Sequence, residues 1–183
     1  MLIAREKKKS NVAEYILYMW QIEDIIRSFG FSAEKIKQGI VDRYDQPAQI
    51  KGEIMQWYLS LIKMMQDEGI IQSGHLIFLV HKVNELNDFH HLLLLSDRQT
   101  QYQELYKEAK PNIDALAEKG NPVERNEIDI CLTGLYGLLM LKLQQKPISE
   151  ETQNSLRTVS ILMAHLADFY RKYENGEIDL EEV

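Results

Sequence analysis

One stretch constrains this chain more than any other: Ile128–Leu143, IDICLTGLYGLLMLKL. Between Asp129 and Lys142 it carries no charge, and at about 3.6 residues per turn its apolar side chains point all around a helix axis. A helix that is apolar on every side is expected to be wrapped by others, so this stretch is expected to be the core. Gly134 and Gly137 each cost about 1 kcal/mol of helix propensity relative to Ala, but they remove side chains where a neighbouring helix can approach. The uncharged run is shorter than the roughly 20 residues that cross a bilayer, so no membrane span is expected.

A chain of 183 residues suffices for one domain that buries about 70% of the surface of its unfolded form, without disulfide or structural metal. Its net charge of −7 disfavours nucleic acid and anionic membranes as partners. The single cysteine, Cys131, falls inside the apolar helix and reads as a small buried hydrophobe rather than a reactive thiol. The N-terminus, MLIAREKKKS, has no apolar core of the kind a secretory signal carries, and a cytoplasmic location is the default expectation.

Helical periodicity runs through the chain. The cations Arg5, Lys7, Lys8 and Lys9 oppose the positive end of a helix dipole, so the first helix is expected after them, capped by Asn11 with Glu14 and ending at Gly30. A short helix follows from Ser32 to about Tyr44. A third begins near Pro47 and ends at Gly69, and a fourth runs from Ser73 or Gly74 to about Leu95. The fifth is expected from Ser96 to Gly120, bent or restarted at Pro111, and the sixth from Asn121 to just before Pro147. The seventh is capped by Ser149 and stopped by Asn175 and Gly176. No strand signal and no fixed-period repeat competes with this pattern. The fold class read from it is all-α: one domain over 1–183, an antiparallel helical bundle of about six to seven helices, with residues 1–10 and the acidic tail 177–183 flexible.

Common catalytic patterns are missing: there is no phosphate loop, dinucleotide fingerprint, CxxC, HExxH or GxSxG. Glu85 with Asp88 and Glu124 with Glu127 superficially resemble magnesium motifs of all-helical nucleotide pyrophosphatases, but their order and separation do not fit. The most chemical feature is a polar seam on the fourth helix, where His81, Asn84, Asp88 and His91 share an arc of about 80°. Asp88 with His91, and His165 with Asp168, each present an oxygen and an imidazole nitrogen at helical spacing, so two helices offer four ligands for zinc, iron or manganese. The ordinary reading is a solvated helix side. His90, on the buried stripe, reads as a hydrogen-bonded core histidine, and Trp20 and Trp57 read as packing residues.

The segment AREKKKSNVAEYILYMWQIEDIIRSF, Ala4–Phe29, resembles a family of small all-helical bacterial proteins, chiefly of the Bacteroides group, catalogued as a domain of unknown function. The resemblance extends along the whole chain in length and helical layout. It implies a single-domain cytoplasmic bacterial protein without an established activity, and it brings no assigned functional residues.

Two roles follow as expectations. One is a non-enzymatic bundle acting through a protein partner or as a homodimer; the alternative is a metal- or small-ligand-binding bundle using Asp88, His91, His165 and Asp168. No particular cofactor is indicated. A third, weaker role is phosphate or nucleic-acid contact through Arg5 to Lys9. A metal site of this kind should raise the melting midpoint of metal-stripped protein by roughly 5 to 10 °C when metal is present at about a hundred times its dissociation constant. His91→Ala should remove the rise, and a flat response across divalent metals removes the metal reading.

Overall fold

The computed structural model describes residues 2–119 and 125–178. Among them are eight α-helices and no strand: α1 (Leu2–Ser10), α2 (Val12–Ser28), α3 (Ala33–Gly39), α4 (Ala48–Asp67), α5 (Ile77–Leu95), α6 (Thr100–Lys119), α7 (Glu127–Leu143) and α8 (Glu150–Glu174). A 3-10 turn, Val41–Arg43, follows α3. No helix among the described residues is long and apolar enough to cross a membrane. The helix beyond the expected six to seven is α1, formed by the basic segment expected to precede the first helix. Its Ala4 is buried and Lys7 reaches Glu14 at 2.6 Å, so at least these positions have partners that the dipole argument left out.

Where the sequence marks no boundary, contacts divide the chain into two compact units. The first comprises residues 1–8 and 14–81, the second residues 9–13 and 82–183. In the first, the stripe expected on α2 is buried at Ile16, Met19, Ile22 and Ile26, and α4 contributes Ile54, Tyr58, Leu61, Ile62 and Met65. Helix α3 is capped by Ser32, whose hydroxyl accepts from the Lys35 N–H, and it packs on α4.

The start of α5 departs from expectation for a clear reason. Ser73 and Gly74 suit a helix start, yet α5 begins at Ile77. Its first donors are met by carboxyls from distant sequence. The Leu76 N–H donates to Glu23 Oε1 at 2.9 Å and the Ile77 N–H to Glu68 Oε2 at 2.7 Å. Glu23 is fully buried on α2, and its other oxygen lies 2.6 Å from His75 Nδ1. The imidazole in turn stacks on Trp20, with ring centres 4.1 Å apart.

In the second unit α6 and α8 share the most extensive helix pairing, and α7 packs against both. Helix α8 buries Leu156, Val159, Leu162, Met163, Leu166, Ala167 and Tyr170, so it has the role of core helix. The sequence assigned that role to α7, which buries Ile128, Cys131 and Leu132. From Leu135 to Leu141 its side chains are half-buried apart from the exposed Gly137, and Leu143 is 57% exposed. Apolarity states what a helix can bury; the positions of α6 and α8 decide how much of it is buried. Pro111 removes a helical N–H but does not restart the helix, since α6 is continuous from Thr100 to Lys119. The sequence-expected stop at Gly120 and start at Asn121, Pro122 and Glu124 lie outside the described residues. The observed cap of α7 is Asn126, whose side chain accepts from the Asp129 N–H at 2.8 Å. Of the tail, residues 179–183 also lie outside.

Glu23→Leu is expected to lower unfolding stability by about 2 to 3 kcal/mol in a denaturant titration, because it strands a buried N–H that had a carboxyl acceptor. His75→Ala should cost less, since Glu23 can still accept from Leu76. Equal losses in the two variants contradict this ranking.

Candidate functional site

The exposed part of α7 and the polar group that anchors its first turn form the most distinctive region of the second unit. At 100° per residue, Ile130, Thr133, Gly137, Met140 and Leu141 lie within an outward arc of about 100°. Thr133 and Gly137 are exposed and the other three half-buried, and none is charged. The glycines differ in environment. A Cβ on Gly134 would meet Leu116 Cδ1 at 2.9 Å and Leu156 Cδ2 at 3.2 Å, so this glycine lets α7 approach α6 and α8. A Cβ on Gly137 would meet nothing within 4 Å, so this glycine opens onto free surface.

The anchor is built from α5, α6 and α7. His90 is fully buried, and its Nδ1 is 2.6 Å from the Tyr102 hydroxyl. The hydroxyl of Tyr106 donates to both oxygens of Glu127, at 2.8 and 3.1 Å. His90 Nε2 lies 3.4 Å from Glu127 Oε2, within ion-pair range but without hydrogen-bond geometry. A neutral imidazole with its proton on Nε2 fits these contacts: Tyr102 then donates to Nδ1 and the N–H faces the carboxyl. Lys110 reaches the same carboxyl at 3.6 Å. Burial lowers the His90 pKa against the opposing pull of Glu127, and burial raises those of Tyr102 and Tyr106. Burial also pushes the Cys131 thiol up to about 12, so it is not a thiolate nucleophile at neutral pH. A second tie runs from Asn126, which donates to Asn84 Oδ1 at 2.9 Å.

The core reading of His90 therefore holds, while the polar seam divides. Asn84 is spent on the α7 cap, and His81, Asp88 and His91 are exposed. His165 is half-buried on α8. Asp168 is held by Arg171 and Lys172, each at 2.8 Å, and these cations keep its carboxyl below the usual range. A metal at Asp168 would have to compete with both. Among the described residues no group of three or more His, Cys, Asp or Glu side chains is placed to hold a metal ion. Glu85 is committed to Lys82 at 2.7 Å and to the Tyr170 hydroxyl. The residues missed from sequence are Tyr102, Tyr106 and Glu127: the tyrosines read as stripe residues, and nothing in spacing links them to His90.

The chain belongs to the family described as Domain of unknown function (DUF4924), whose model matches residues 1–177. No curated protein matches it, and no solved structure does.

The depressed His90 pKa sets a sign. Its neutral form is favoured by folding, so its contribution is complete above the unfolded value of about 6.5 and is lost as pH falls below that towards the folded value. Unfolding stability should therefore fall between pH 7.5 and 5, and His90→Gln should flatten that slope while lowering stability at pH 7.5. An unchanged slope in the variant overturns the assignment.

Proposed function

We propose that this chain works through protein contact, with the outward face of α7 as the contact surface. One observation carries the reading: the most apolar helix in the chain is anchored at its first turn and leaves an uncharged, half-exposed surface along its second half. Contiguous apolar surface of this kind is characteristic of partner-binding faces rather than of scattered single exposed residues. Supporting it, Gly137 and Thr133 make the surface shallow, so that a partner backbone could come close to it.

A photo-crosslinking amino acid placed at Met140 in the source cell should give a discrete protein adduct, while the same group at exposed Asn154 on α8 should give none. Met140→Glu should remove binding of that partner and change unfolding stability by no more than about 1 kcal/mol, as for substitutions outside the core. Indistinguishable patterns at the two positions remove the contact reading.

A further inference from the structure

We infer that the cavity lined by α1 and α4 binds a small zwitterion that carries a ring, of the class of an aromatic α-amino acid. The site lies wholly in the first unit and is independent of the α7 face. With a volume of about 560 Å³ the cavity has the size of small-molecule sites, roughly 300 to 1,000 Å³. Helix α4 supplies most of its lining and Arg5 of α1 the rest. At 100° per residue the α4 lining runs from Ile54 on the core side, through Ile50, Trp57 and Glu53, to Gln56 and Gly52 on the solvent side.

Two opposite charges share this lining without meeting. Arg5 and Glu53 form no ion pair with each other, and neither has another ion-pair or side-chain hydrogen-bond partner among the described residues. Elsewhere in the unit opposite charges within reach do pair, as Lys37 does with Asp42 and Lys63 with Asp67. A molecule with a carboxylate and an ammonium group spans such a separated pair: the guanidinium donates two parallel hydrogen bonds to the carboxylate, and Glu53 accepts from the ammonium. One cation beside one carboxylate leaves no counter-charge for a phosphate dianion, which favours a single carboxylate on the ligand. The ring is called for by Trp57, which is half-buried and held edge-on to Tyr58 with ring centres 5.1 Å apart. With Ile50 and Ile54 it forms an apolar wall on which a planar side chain can stack. Gly52 supports the reading from the solvent side. Glycine is less favourable than alanine in a helix interior, yet a Cβ here would meet nothing within 4 Å, so no packing within the described residues calls for it. What its missing side chain does is keep the cavity open.

The test titrates the purified full chain with L-phenylalanine and follows tryptophan emission, which only Trp57 and the buried Trp20 supply. A saturable change is expected. Phenylacetate and phenethylamine, each lacking one charge, and L-alanine, lacking the ring, should bind about tenfold more weakly, the scale of one charge-assisted contact or one stacked ring. Arg5→Gln should weaken phenylalanine about tenfold and leave phenethylamine unchanged, whereas Glu53→Gln should weaken phenylalanine and leave phenylacetate unchanged. Gly52→Leu should abolish the response while raising the melting midpoint by roughly 2 to 4 °C, because a helix-interior glycine is replaced. That combination separates a filled cavity from a misfolded chain. Met140→Glu should not alter phenylalanine binding, so this site and the α7 face stand or fall separately. Equal affinity for phenylalanine and its three analogues overturns the zwitterion. Binding that survives both charge variants, or that is tighter for adenosine monophosphate than for phenylalanine, overturns the assignment, and no saturable response to any of them overturns the site.

Discussion

The second unit depends on the pairing of α6 with α8. Each large apolar side chain removed from water contributes about 1.5 to 3 kcal/mol, and α8 places Leu156, Val159, Leu162, Met163, Leu166 and Tyr170 in that position. Ala109 and Ile113 on α6 are buried, and Pro111 between them leaves the helix continuous. Helix α7 is laid against this pair. The missing Cβ of Gly134 lets it sit close to Leu116 and Leu156, and what the pair does not cover stays open.

Polar side chains then set positions that apolar packing leaves degenerate. Tyr102 meets His90 and Tyr106 meets Glu127, while Asn126 joins Asn84 at the α7 cap, so α7 is tied at its start to α5 and α6. Helix α8 is tied to α5 through the Tyr170 hydroxyl, which lies 3.0 Å from Lys82 Nζ and also meets Glu85. In the first unit the buried carboxyl of Glu23 performs a comparable task at the start of α5. Buried polar groups are expensive unless paired, so each tie both costs and specifies. Several of these ties gather at the first turn of α7.

Much of the fold was legible along the chain. Seven of the helices, the caps at Ser32 and Ser149, and the buried stripes of α2, α4 and α8 follow from periodicity and capping chemistry, both of which are local. The burial of His90 and Cys131 was legible too, because each lies on an apolar face. The candidate metal residues were a different case. Helical spacing puts Asp88 and His91 on one side of their helix and His165 and Asp168 on one side of theirs, but spacing says nothing about whether two helix faces meet, and Arg171 and Lys172 engage Asp168 from its own helix.

By itself, then, the sequence determined that the chain is helical, where most helices begin and end, and which side chains are apolar enough to be buried, because these depend on residues within a few turns of one another. Tertiary structure alone decided that α8 buries more side chains than α7, that α5 starts on the carboxyls of Glu23 and Glu68, and that His90 joins Tyr102 beside Tyr106 and Glu127. Those outcomes depend on which surfaces are brought together across 9 to 53 positions of sequence, and hydrophobicity is the same whether or not a neighbour is there to cover it.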